Sequence, residues 1–147
     1  MLVGDIEAAD THDLRRRVLR GGRAEHLVFP EDDRPGAFHL GVRAEPAGPP
    51  LAVASFSPEP TAHRPDRRAA RLRGMVTDPA HQGQGLGRGL LEEALRRLRA
   101  GGIEVLWANA RDSALGFYER LDFEVVGEGF LAGPAADIPH HIVVLDL

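Results

Sequence analysis

The sequence predicts a mixed α/β fold, a sheet with helices packed against it. Two observations carry this expectation. From Ala69 onward, apolar runs of strand length alternate with helical patterns in the order strand, helix, strand, helix, strand, strand. Within that series, Gly85 to Ala100 places Leu86, Leu90, Leu91, Ala94, Leu95 and Leu98 on one face, the apolar stripe a helix needs to lie on a sheet.

Taken in order, Thr11 to Arg20 reads as a first helix, with Thr11 as cap, Asp13 in the first turn, Leu14, Val18 and Leu19 as its apolar stripe and Gly21-Gly22 ending it. The arginine run Arg15 to Arg17 reads as its solvated face. Glu31 to Gly36 is a polar turn. Ala37 to Val42 and Leu51 to Phe56 read as strands, separated by Pro46, Gly48, Pro49 and Pro50, hence a hairpin with an irregular connection. Ala69 to Val76 is a third strand, closed by Thr77, Asp78 and Pro79. In the long helix, Glu92–Arg96 and Glu93–Arg97 are supporting pairs one turn apart, and Gly101-Gly102 is the stop. Ile103 to Ala108 is a strand buried on both faces, and Trp107 within it reads as core. Ser113 to Leu121 is a short helix, and Phe123 to Gly127 and Ile142 to Leu147 are the last strands.

The composition narrows the function classes. A chain of 147 residues has the size of one domain, and 43% hydrophobic with 27% charged residues is the make-up of a globular protein. A net charge of −4 supplies no basic field and argues against nucleic acid as partner. The chain has no cysteine, which excludes disulfides, a thiolate nucleophile and Cys-ligated zinc. The seven histidines lack metal-ligand spacing, so no metal is expected. No apolar run approaches the roughly 20 residues that span a bilayer, and the N-terminus does not read as a signal peptide, so no membrane partner and a cytoplasmic location are expected. All 18 basic residues are arginine, so no lysine is present for a Schiff base or for self-acetylation.

The chemistry concentrates between the third strand and the long helix. There Gln82-Gly83-Gln84-Gly85-Leu86-Gly87-Arg88 opens the helix. The first N–H groups of a helix lack intrahelical partners and its dipole adds positive charge, so a glycine-rich start is a cradle for phosphate. Arg88 adds a full charge. A P-loop would need Gly-Lys-Ser/Thr, and the chain has no lysine. A dinucleotide fingerprint needs glycines at positions one, three and six, and the sixth position is Arg88, Leu90 or Glu92 in the three registers. Both nucleotide-binding readings fail on these grounds.

What the loop does resemble is the pyrophosphate loop of the GNAT acetyltransferases, Arg/Gln-x-x-Gly-x-Gly/Ala, matched by Gln82, Gly85 and Gly87. Its surroundings are similar as well. Arg73-Gly74-Met75-Val76 precedes it where the family's strand holds the pantetheine arm, and Trp107-Ala108-Asn109-Ala110 ends the strand after the helix. Ala114-Leu115-Gly116-Phe117-Tyr118-Glu119-Arg120-Leu121-Asp122-Phe123 resembles the family's Ala-x-x-Phe-Tyr-x-x-x-Gly-Phe, with Asp122 where Gly is usual. The likeness covers about residues 70–130. Fainter likeness in Leu14 to Leu19, Ala37 to Gly41 and Ile138-Pro139-His140 is similar to the ElaA-like branch.

The resemblance implies a GNAT fold, a mostly antiparallel sheet that splays near Met75, and transfer of an acetyl group from acetyl-CoA to a primary amine. It implies contacts to the cofactor from Met75, Val76, Gln82, Gly83, Gln84, Gly85, Leu86, Gly87, Arg88, Asn109 and Phe117. A backbone N–H at Met75 or Val76 would polarise the thioester carbonyl, and Tyr118 matches the family's general acid. The base is open at this stage: His140 is the first candidate, ahead of His141, His39, Glu45 and Glu104. Adjacent strand residues face opposite ways, so only one of His140 and His141 can line a site. The alternative class is a regulatory module that binds acyl-CoA without catalysis. The acceptor pocket is expected from Gly21 to Gly36 and Gly129 to His141, neither with a decisive charge pattern. Edge strands of such sheets leave a homodimer open.

Overall fold

The computed structural model describes residues 1–23 and 25–147. Seven strands form one sheet in the order β1-β2-β3-β4-β5-β7-β6. They are β1 Leu2–Asp5, β2 Phe38–Arg43, β3 Ala52–Pro58, β4 Ala69–Thr77, β5 Val105–Arg111, β6 Glu124–Ala132 and β7 Ile138–Asp146. Every neighbouring pair is antiparallel except β4–β5. The parallel pair is joined by the one long helix, α2 Leu86–Ala100, as a parallel connection requires. A short helix, α3 Leu115–Arg120, connects β5 to β6.

The first helix is less regular than its apolar stripe predicts. It comprises a 3-10 turn at Ala8–Thr11, a single α turn α1 at His12–Leu14 and a π turn at Arg15–Leu19. The reading of Arg15 as solvated is corrected: Arg15 is fully buried while Arg16 and Arg17 bond Asp13 at the surface. Two guanidinium nitrogens of Arg15 donate to the Asp32 carboxylate at 2.8 and 3.0 Å, and further bonds reach Ser55 Oγ and the Leu27 carbonyl. A carboxylate and guanidinium this deep are tolerated because each pairs the other. The acidic residues Glu31, Asp32 and Asp33 thus include a structural anchor, held in a 3-10 turn at Pro30–Asp33.

The sheet buries apolar residues on both faces. Leu90, Leu91, Ala94 and Leu98 of α2 pack on Leu40, Phe56, Leu72 and Leu106, with Tyr118 and Phe123 continuing the same cluster. On the other face Ile6, Leu14, Val53 and Val76 form a smaller cluster, and Trp107 packs with Val105 and Val144. Each fully buried Leu, Val or Phe contributes about 1.5–3 kcal/mol relative to exposure.

Two irregularities in the sheet position the site. The β4–β5 ladder pairs Ala69–Leu72 with Val105–Ala108 and stops there. Beyond it β4 stays with β3 and β5 stays with β7, so the two strands part and leave a gap in the sheet. The second is a bulge. Val53 pairs Val76 and Ser55 pairs Arg73, so one residue of β3 faces two of β4, Gly74 and Met75. Gly74 has a φ of 61°, and a Cβ there would stand 2.9 Å from the Phe29 ring. Both the backbone conformation and the space demand glycine.

Candidate active site

The gap between β4 and β5 opens into a cavity of about 350 Å³. Four residues singled out from the sequence line it: Met75 at the bulge, Asn109 on β5, Tyr118 on α3 and His140 on β7. Their convergence follows from the topology, since the last strand runs beside β5 and brings His140 opposite Arg111.

Tyr118 is 6% exposed, its ring held edge-on between Phe117 and Phe123. Burial pushes its phenol well above the ordinary tyrosine value, so the hydroxyl keeps its proton throughout the physiological range. His140 stacks on Phe130, and its Nδ1 lies 2.7 Å from the Ile138 carbonyl. A carbonyl only accepts, so Nδ1 carries the hydrogen and, in the neutral ring, Nε2 carries the lone pair.

The other base candidates lie elsewhere. His39 uses both ring nitrogens inside the protein, at 2.7 Å from Ser55 Oγ and 3.2 Å from the Asp32 carbonyl. Its place is in the Arg15–Asp32 network, which fixes the turn that carries Phe29. His141 faces outward against Asp112 at 2.7 Å, as strand alternation requires. Glu45 is exposed, and Glu104 is bonded to the backbone N–H of Arg68.

The glycine loop forms a separate surface beside the cavity. Gln82, Gly83, Gln84 and Gly85 are exposed, and a 3-10 turn at Pro79–His81, capped by Asp78, leads into them. Gly83 and Gly85 both have φ of 77° with nothing near a Cβ, so backbone conformation alone selects glycine and the space above stays open. Gly85 caps α2 with no side-chain hydrogen bond, leaving the first N–H groups of a 15-residue helix to an outside acceptor. The fit to a diphosphate is good. Gly87 serves packing: a Cβ there would meet the Phe117 ring at 3.3 Å. Phe117 therefore ties α3 to the loop.

Three of the expected cofactor residues have their side chains turned to other partners. Leu86 is buried in the core and can offer only its backbone. Val76 points away from the cavity into the cluster with Ile6 and Leu14. Arg88 lies along the helix surface, its Nε donating to Glu92 at 3.0 Å. Asp122, which stands where the motif has glycine, takes a φ of 70°. It therefore makes the same left-handed turn, as a short polar side chain can.

Phe29 and Glu31, from the expected stretch Gly21 to Gly36, line the cavity too. Sequence reasoning missed its cationic wall, Arg20, Arg71, Arg73 and Arg111. Arg71 and Arg73 alternate on β4 and share Glu59, and Arg73 also stands 3.5 Å from Glu31. Period-two spacing on a strand was the available signal. Among the described residues no cluster of His, Asp and Glu is arranged to hold a metal, and no helix is long and apolar enough to cross a membrane.

Known proteins resemble the chain in sequence and in fold. The family model "Acetyltransferase (GNAT) family" matches residues 8–123. The uncharacterized N-acetyltransferase YitI of Bacillus subtilis (strain 168) is 36% identical over 146 residues, covering 97% of this chain and 93% of that protein. Among solved structures, an aminoglycoside 6'-N-acetyltransferase complexed with coenzyme A superposes with a TM-score of 0.76 at 11% identity, over 99% of this chain and 97% of that one. The protein yncA of Salmonella typhimurium, solved with its cofactor acetyl-CoA, superposes with a TM-score of 0.74 at 20% identity, over 100% of this chain and 94% of that one. The structural likenesses show the fold; the family match and the extended sequence identity show the family. The chain belongs to the GNAT family of acetyl-CoA-dependent N-acyltransferases.

Proposed function

We propose that the acceptor is a primary amine and that the reaction takes place in the cavity at the β4–β5 gap. The observation that carries this reading is the pairing of opposite roles in one cavity: a tyrosine that holds its proton and a histidine whose tautomer leaves Nε2 free to take one. In this reading, acetyl-CoA is the substrate that brings the acetyl group as a thioester, its diphosphate on the Gly83–Gly87 loop. An incoming ammonium first releases one proton to solvent, and His140 Nε2 takes the second from the nitrogen as it attacks. The backbone N–H at the bulge, Met75, donates to the carbonyl oxygen as it becomes an oxyanion. The C–N bond forms, the C–S bond breaks, and Tyr118 donates its proton to the departing sulfur.

Two measurements test this. Acetyl-CoA at about 100 times its dissociation constant should stabilise the chain by about 2.7 kcal/mol, a rise in melting temperature of roughly 5–10 °C, with no rise for ATP or NAD. No rise with acetyl-CoA sinks the assignment of the glycine loop. A rise without release of free CoA thiol across a panel of amines would favour binding without catalysis. The second is His140→Gln. Its kcat/KM should fall about 100-fold while the acetyl-CoA melting shift is kept, because the group that accepts the proton is gone and the fold is not. An unchanged kcat/KM would assign the proton to another group.

A further inference from the structure

The cavity contains two cations without an anion. Arg20, at the end of the first helical stretch, and Arg111, at the end of β5, both line it. Arg20 Nη1 stands 3.5 Å and Arg111 Nη2 3.4 Å from the same acceptor, the Leu19 carbonyl. Neither has a carboxylate within ion-pair distance among the described residues, in a chain where most arginines have one. Arg20 Nε is buried with no hydrogen-bond partner. Burial, then the charges of Arg111 and Arg15, disfavour the charged form of Arg20. Glu31, the one carboxylate on the cavity wall, is engaged with Arg73. Two guanidinium groups crowded on one carbonyl are a costly arrangement that an anion between them would relieve.

The anion is not the cofactor's diphosphate on the reading above, because Gln82 to Arg88 lie outside the cavity wall while Arg20 and Arg111 belong to it. Arg20 stands 5.9 Å from the Phe29 ring and Arg111 is the register partner of His140, so the pair lies on the side where the acceptor must approach His140. We propose that the acceptor is a small amine that also carries an anionic group, a carboxylate or a phosphate, and that this group is held by Arg20 and Arg111. This rests on the assignment of amine acetylation to the cavity. It also helps that chemistry, since fixed positive charge lowers the pKa of an adjacent ammonium and makes it easier to deprotonate.

The test uses matched acceptors and measures CoA thiol release: an amino acid against its amide, and phosphoethanolamine against ethanolamine. At least one anionic member should exceed its neutral partner in kcat/KM by about 10- to 100-fold, the range of a charge-assisted hydrogen bond in a partly buried site. Which pair shows the preference tells carboxylate from phosphate. In Arg20→Gln and Arg111→Gln that ratio should collapse toward one, with Arg20→Lys retaining part of it. The acetyl-CoA melting shift of each variant reports that the fold and cofactor site are intact. Acetylation with no preference for either anionic acceptor overturns the proposal while leaving amine transfer standing. So does a variant that loses acetyl-CoA binding as much as acceptor turnover, because the arginines would then serve the cofactor. No thiol release with any amine overturns the amine-transfer reading and this proposal with it.

Discussion

Tyr118→Phe should lower kcat by about 10²- to 10⁴-fold while the acetyl-CoA melting shift stays within a degree or two of the parent. The expectation combines three features of one side chain. Its ring is wedged between Phe117 and Phe123 and belongs to the main apolar cluster, so Phe keeps the packing. Burial is the sole cause of the raised phenol pKa, so the hydroxyl has no strong partner whose loss would destabilise the fold. Tyr118 lines the cavity in which, on the proposed reading, a thiolate leaves. A phenol held this firmly in its acid form gives up its proton only to a strong base, and a thiolate expelled in a place remote from water is one. Single-turnover measurement of CoA release locates the loss in the chemical step. Full activity in Tyr118→Phe would remove Tyr118 from the acid role.

The largest effect on stability is expected from Asp32→Ala, a loss of about 3–5 kcal/mol and about 6–20 °C in melting temperature. The carboxylate pairs with an arginine that is 0% exposed, so its removal strands a buried charge. It also accepts the Phe29 N–H at 3.1 Å, and Phe29 is the ring beneath Arg15 and against Gly74. By contrast, the Arg17–Asp13 pair has a similar length, 2.9 Å, but lies at the surface and is worth about 1 kcal/mol at most. The pH dependence follows from the direction of the Asp32 shift. Burial raises its pKa, but the hydrogen bonds from Arg15 and the Phe29 N–H together with the Arg15 charge outweigh burial and hold it below the usual carboxylate value. A folded-state pKa below the unfolded one contributes stability above about pH 3.9, which is lost as pH falls through the folded value. The difference in melting temperature between the parent and Asp32→Ala should therefore be full at pH 6–7 and shrink below about pH 4. A constant difference down to pH 3 would deny Asp32 its role as the partner of Arg15.

The central part of the chain was legible because each element there carried several agreeing signals. The α2 stripe, the glycines before it and the Gly101-Gly102 stop fixed that helix to within a residue. The glycine loop and Tyr118 were readable because their residue types are demanded by chemistry and backbone together. What was missed carries weak local signals. β1 is four residues long with Leu2, Val3 and Asp5 exposed, an edge strand lacking the alternation that marks a buried face. β6 and β7 are longer than Phe123 to Gly127 and Ile142 to Leu147 because Gly127, Glu128 and Gly129 read as an ending. They form instead an irregularity between Val126 and Phe130, after which the ladder resumes through Pro139. The burial of Arg15 is a long-range fact: its partners Asp32 and Ser55 lie 17 and 40 residues away, and nothing around Arg15-Arg16-Arg17 distinguishes the first arginine from the next two. The same holds for Arg20 and Arg111: the carbonyl they share, that of Leu19, is next to Arg20 but 92 residues from Arg111.

The parting of β4 from β5 divides the backbone pairing of the sheet in two. On one side β1 to β4 are braced by α2, and on the other β5, β7 and β6 are braced by α3. Each side is a run of antiparallel neighbours with its own helix, and the backbone seam between them is four residue pairs long. The catalytic groups proposed here are divided across that seam, the bulge at Met75 on one side and Tyr118 and His140 on the other. The seam is short in backbone only, because the apolar cluster beneath α2 crosses it and joins Leu72 and Leu90 to Leu106, Tyr118 and Val143. On the proposed reading, the spacing between acid, base and oxyanion donor is thus held by a shared core, at residues no substrate touches.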